Sequence, residues 1–302
     1  MNRFAFGLLC VASAAAAQPS NPEIYLLPLT VRGANISVGP AVNITNRPGY
    51  DNQPSFTFDG RELYFTSTRA DSQADIYKYN IEAKSTERIT HTAPESEYSA
   101  TQLPYPKNFS VIRVEKDSTQ RLWMLSPDGR DGRPVFADIK PVGYHTWLDP
   151  YHLALFVLGT PNALVLADTR TGRGDTLARD IGRSLVALPD GGGFSFLSRH
   201  GQDWVLTVVR LNRSGRVVYI QPLVTMPRGM DYIAWIGGTV LGGTGSKLMA
   251  WTPGGAWREV ADLAPQGITR ISRIAVSRDR RRLALVAEPA TPSGLEHGEI
   301  RR

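Results

Sequence analysis

QPSFTFDGRELYFTSTR, Gln53 to Arg69, holds two short alternating runs on either side of an Asp-Gly pair. Alternation of apolar and polar residues marks a half-buried β-strand, and Asp-Gly between two such runs marks a tight hairpin. The chain continues as ADSQADIYKYNIEAKSTERITHT, which adds two more strands. The whole segment reads as one four-strand unit: Pro54 to Phe58, Leu63 to Thr68, Asp75 to Asn80, and Thr86 to Thr90.

The unit recurs in different letters, with first strands beginning at Tyr98, His145, Ser184 and Tyr232. The residue that closes each third strand is Asn80, Ser126, Asp168, Asn212 and Thr252 in turn. That period falls near the roughly 40 to 45 residues of a four-stranded propeller blade. A sixth unit starts with Ile271 to Ser277 and Arg282 to Ala287, then dissolves into Pro289, Pro292 and Gly294. Its missing half matches the other end of the chain. Glu23-Ile24-Tyr25 parallels Asp75-Ile76-Tyr77, and Asn43-Ile44-Thr45 parallels Arg88-Ile89-Thr90.

The expected fold is therefore all-β, a six-bladed β-propeller of four-stranded antiparallel blades over residues 18–289. Residues 21–46 are expected to close the last blade, which leaves no unpaired inner edge. A seven-bladed ring with one blade merged is the competing count, because Gln221 to Asp231 is the loosest connection. Residues 290–302 read as a flexible tail.

The first 17 residues read as an export signal: Arg3, an apolar run from Phe4 to Ala12, and Ala15-Ala16-Ala17 ahead of a cleavage at Gln18. The run is too short for a membrane anchor, which needs about 20 apolar residues. Leu9 stands where a lipoprotein signal carries a small residue ahead of its Cys, which argues against lipidation at Cys10. Cleavage removes the single cysteine of the chain and with it any disulfide, thiol nucleophile or Cys-based metal site. The balance of 34 Lys+Arg against 28 Asp+Glu is spread along the chain, with Arg278 and Arg280 to Arg282 as its one dense cluster. No nucleic-acid module accompanies it. No stretch after residue 18 is long and apolar enough to span a membrane. The expected product is a monomeric periplasmic or secreted protein.

PSFTFDGRELYFTSTR with DIYKYN and ERITHT resembles the WD40-like (PD40) repeat of TolB-type propellers. That unit reads approximately Pro-x-Phe/Trp-Ser-Pro-Asp-Gly, an apolar strand ending in Ser-x-Arg, then Asp-Ile-Tyr, then Leu-Thr. LPDGGGFSFLSR (188–199) and AVSRDRRRLALVA (275–287) are degenerate copies. The resemblance implies a periplasmic propeller that binds another protein or an envelope polymer. Its motif consists of structural residues, so it transfers no binding residue.

Function is sought instead in the loops that run from each outer strand to the next inner strand, and from second to third strands. Concave places of this kind favour ligands. The candidates there are Arg69, His91, Glu97, Tyr98, Tyr144, His145, Arg183, Arg199 and Asp231, within a wider polar set that includes Asp71, Tyr232 and Arg273. His91, His145 and His200 come from different blades and offer an alternative metal site for a lyase or hydrolase acting on a saccharide. No HxH or HExxH spacing supports it, and no G-x-S-x-G elbow supports a serine hydrolase. A binding module without a cofactor is the leading expectation.

Overall fold

The computed structural model describes residues 21–33, 35–69, 73–103 and 107–289, so the signal segment, the tail and Asp71 lie outside the described residues. The described chain forms strands and one 3-10 turn at Ala264–Gln266. It opens with β1 (Glu23–Arg32), β2 (Asn35–Val38) and β3 (Val42–Asn43). Blade 1 is β4 (Tyr50–Phe56), β5 (Glu62–Thr68), β6 (Ala74–Asn80) and β7 (Ser85–Arg88). Blade 2 is β8 (Ser96–Gln102), β9 (Phe109–Val114), β10 (Gln120–Leu125) and β11 (Gly132–Pro134). Blade 3 is β12 (Val142–Trp147), β13 (His152–Val157), β14 (Ala163–Asp168) and β15 (Arg173–Arg179). Blade 4 is β16 (Ile181–Ala187), β17 (Gly193–His200), β18 (Asp203–Leu211) and β19 (Val217–Thr225). Blade 5 is β20 (Ile233–Ile236), β21 (Thr239–Thr244), β22 (Lys247–Trp251) and β23 (Arg258–Asp262). Blade 6 begins with β24 (Ile268–Val276) and β25 (Arg282–Pro289).

Each blade is an antiparallel sheet in chain order, and the sixth is completed by the N-terminus. β1 pairs with β25 over Glu23↔Ala287 to Pro28↔Arg282, and β3 and β2 pair with the outer side of β1. The sequence parallel between residues 23–45 and 75–90 holds in hydrogen bonds. Thr45 Oγ1 accepts from Ile24 N at 3.0 Å, and Thr90 Oγ1 accepts from Ile76 N at 2.9 Å. The buried acids Glu23 and Asp75 accept in turn from these two hydroxyls. The loose connection after Gln221 is the end of β19, which runs on to Thr225, so it hides no seventh blade.

Six apolar clusters occupy the gaps between neighbouring blades. This explains the alternation in the middle strands. Leu63 and Phe65 of β5 pack toward blade 6, and Tyr64 between them stacks on Phe109 of blade 2. Successive side chains point to opposite faces, and both faces are covered. Burying one such side chain contributes about 1.5–3 kcal/mol. Two tryptophans join neighbouring blades by the same contact: Trp147 Nε1 donates to Ser110 Oγ at 2.9 Å, and Trp235 Nε1 donates to Ser195 Oγ at 2.8 Å.

Candidate functional site

Five of the six innermost strands carry a register shift, as do the outer strand pairs of blades 3, 4 and 5. Register shifts fall in β4 at Asn52/Ser55, in β8 at Tyr98/Thr101, in β12 at Val142/Tyr144, in β16 at Ile181/Leu185 and in β24 at Ile271/Arg273. A bulge turns the strand locally and re-aims its side chains. Gln53 and Ser99 occupy corresponding bulges with φ of 59° and 55°. They are joined by a Ser99 N to Gln53 Oε1 bond of 2.8 Å.

Each blade contributes one large polar residue to a ring near the axis: Tyr50, Tyr98, Tyr144, Arg183, Tyr232 and Arg273, of which Tyr232 precedes β20, the one inner strand without a bulge. Arg273 of blade 6 crosses to blade 3, where its guanidinium donates to Tyr144 Oη at 3.0 Å, and it also donates to Tyr232 Oη, at the start of neighbouring blade 5, at 2.6 Å. It also lies over both rings, 5.0 and 3.8 Å from their centroids. Tyr144 and Tyr232 meet edge to face at 6.3 Å. Arg183 and Arg273 are close enough to act on the titration of Tyr50, whose phenol burial nonetheless pushes up to about 12. Burial works to raise Tyr144 as well, but Arg273, with Tyr232 and Arg183 behind it, holds this phenol below the usual tyrosine range. Tyr232 is pushed up, chiefly by burial.

Below this ring lies a cavity of about 1250 Å³. Tyr144, Arg183, Tyr232 and Arg273 form its floor, and its mouth lies among the turns β4–β5, β16–β17, β20–β21 and β24–β25. Blade 5 has the shortest inner strand, and the cavity extends there into a cleft beside Val208, Tyr219 and Leu223 of blade 4. In an antiparallel blade these turns leave from the end opposite the loops that carry Arg69, His91, Arg199 and Asp231. Of the nine candidates, Tyr144, His145 and Arg183 line the cavity.

The others serve local structure or stand exposed. Arg69 lies over the Tyr77 ring at 4.2 Å and bonds Ser67. Tyr98 is half-buried on β8, at the ring level beside Tyr50. Glu97 is fully buried, with Oε1 2.9 Å from Arg113 Nε and accepting from Thr92 at 2.5 Å. Burial raises its pKa against these two partners. His91, Arg199, His200 and Asp231 are exposed. His145 Nε2 sits 2.7 Å from Ser110 Oγ between blades 2 and 3, and burial lowers its pKa to about 3, so the ring is neutral. Among the described residues, no group of three or more His, Cys, Asp or Glu is placed to hold a metal ion, so His91, His145 and His200 are not brought together.

Neither a family model nor a curated protein matches the chain. Solved structures do. A protein assigned as TolB from Agrobacterium tumefaciens superposes with a TM-score of 0.70 at 14% identity, covering 89% of this chain and 99% of that one. The fold is that of a TolB-like propeller. TolB from Acinetobacter baumannii gives 0.58 at 14% identity over 89% of this chain, which spans only 64% of that longer protein. A gluconolactonase from Xanthomonas campestris gives 0.60 at 10% identity, covering 91% and 99%. The TolB-like architecture is thus shared with an enzyme, and function has to be argued from the site.

Proposed function

We propose that the chain is an exported binding module whose propeller end presents the axial residues to a protein partner or a cell-envelope component. The observation that carries this reading is the chemistry of the axial ring. Tyrosine and arginine are the side chains that most often anchor recognition, through broad rigid contact area and multidentate donors. The lining holds a single carboxylate, Asp190, and it is tied to Arg210 at 2.6 Å. The lining histidine His145 is neutral and bonded to Ser110. These groups favour holding a ligand over acid-base chemistry, which needs a titratable group free to exchange protons.

Site-specific photo-crosslinking in the native host tests it. A photoreactive residue at Arg69, Tyr98 or Arg183 is expected to trap a discrete adduct, and one at Arg216 on the rim of blade 4 is expected to trap none. Adducts from Arg216 alone, or from no position, refute the reading. The export part has its own check. The mature protein is expected in the periplasmic fraction with Gln18 as its first residue, and a cytoplasmic protein retaining Met1 refutes it.

A further inference from the structure

We propose that the cavity is a receptor for an oxyanionic ligand, one bearing carboxylate or phosphate groups, that enters among the β4–β5, β16–β17, β20–β21 and β24–β25 turns. The inference deepens the binding-module reading and rests on it. Its first support is charge. Five arginines line the cavity, Arg183, Arg210, Arg273, Arg278 and Arg280, against Asp190 alone. Asp190 is already paired with Arg210. Among the described residues, none of the other four guanidiniums has a carboxylate within ion-pair distance. Among the described residues the Arg183 side chain makes no hydrogen bond, while Arg273 is fixed by two phenol oxygens with donors to spare. A planar guanidinium presents parallel donors that fit carboxylate and phosphate oxygens.

The second support is a turn that departs from its own repeat. The first-to-second-strand turns Thr57-Phe58-Asp59-Gly60 and Leu188-Pro189-Asp190-Gly191 close on a glycine, with φ of 66° and 71°, as does the like-built turn Ser126-Pro127-Asp128-Gly129 between β10 and β11, at 74°. Ser277-Arg278-Asp279-Arg280 makes the same turn, with Ser277 Oγ donating to Asp279 Oδ1 at 2.6 Å and Arg280 N to Ser277 O at 2.8 Å. Here the closing residue is arginine at φ 58°. A side chain in that left-handed region is strained where glycine is not. The strained residue stands at the cavity mouth beside Gly237, where its charge faces whatever enters. Arg278 stands there too, over the Phe58 ring at 5.3 Å.

The two levels of charge set the ligand class. Arg273 and Ser277 are four residues apart on one extended segment, roughly 13 Å at strand rise. A ligand with two or more oxyanion groups engages floor and mouth together, and a monoanion engages one level only.

Titration calorimetry on the mature full chain tests this with tripolyphosphate, citrate, inorganic phosphate and acetate, and sucrose as the neutral probe. Tripolyphosphate or citrate is expected to bind more tightly than inorganic phosphate or acetate, and more weakly as salt rises. Whichever of the two binds better identifies phosphate or carboxylate as the preferred group. Arg183→Gln removes no internal bond, keeps the fold, and is expected to weaken binding on the order of tenfold or more. Arg280→Gly is expected to raise the melting temperature while weakening polyanion binding. Arg216→Gln, away from the cavity, is expected to bind as the parent does. Polyanions that do not bind, or that bind Arg183→Gln and Arg280→Gly as tightly as the parent, overturn the proposal. The crosslinking outcome judges the binding-module reading separately, since partner adducts can form whether or not a polyanion binds.

Discussion

Burial decides what the axial residues can do at their own scale, and His145 shows it most clearly. Its ring is closed off between blades 2 and 3, and desolvation lowers its pKa from the ordinary 6.5 to about 3. Between those values the unfolded chain binds a proton that the folded chain does not, so stability rises with pH there. Read downward, wild-type stability is full above about pH 6.5 and is lost toward pH 3, by up to about 1.4 kcal/mol per unit from this residue. Urea unfolding across that range is expected to show a shallower slope for His145→Asn, and an unchanged slope refutes the assignment. Glu97 acts in the opposite sense. Its folded pKa is raised, so its contribution is present below the unfolded value and fades as pH climbs through the folded one. The sequence placed Tyr144 and Arg183 among the candidates, but Tyr50 and the crossing of Arg273 to Tyr144 were not legible. A bulge decides which of several adjacent side chains meets the axis, and a bulge depends on the partner strand.

Among elements, the middle strands were the readable ones because both of their faces are covered by neighbouring blades. Five of the six inner strands start earlier than their alternation suggests. β4 begins at Tyr50 rather than Pro54, and β24 at Ile268 rather than Ile271. The residues β4 gains, Tyr50-Asp51-Asn52-Gln53, are polar, which breaks the apolar rhythm without breaking the ladder, and β24 gains Ile268, Thr269 and Arg270 across a register shift. The hairpin of β1 with β2 was also missed: β1 continues past β25 to Arg32 and pairs with Asn35–Val38. Its outer strand is split in two where the other blades have one. Close packing between blades sets a further test. A Cβ on Gly243 of β21 would stand 2.3 Å from Ile271 Cγ2 of β24. Gly243→Ala is expected to cost about 1–3 kcal/mol through overpacking. Combining it with Ile271→Ala removes the clashing methyl, so the pair is expected to be less destabilised than the sum of its single changes. Additive losses in denaturant midpoints mean the two blades do not meet as closely as described.

At the level of the whole molecule, the ring depends on its two ends meeting. β1 lies in blade 6 between β25 and the outer strands, and its side chains fill both adjoining gaps. Ile24 joins the cluster against blade 1, and Tyr25 and Leu27 join the cluster against blade 5. Removing residues 21–46 would expose the edge of β25 and strip both clusters at once. No neighbouring blade can replace them, because each already buries its own faces. The deletion is therefore expected to abolish cooperative unfolding and to bind a hydrophobic dye, while Leu27→Ala, a single truncation at the same seam, is expected to cost about 2–5 kcal/mol and keep the fold. Adding a peptide of residues 21–46 to the deleted chain distinguishes lost closure from general damage. If the N-terminal strands act by pairing with β25, the peptide restores near-ultraviolet circular dichroism in a saturable way. A peptide carrying Leu27→Asp fails to do so, because the charge would be buried among Leu241, Leu248 and Leu285 without a partner. A deleted chain that unfolds as cooperatively as the parent refutes the closure, and rescue by both peptides alike refutes the packing that the seam is built on.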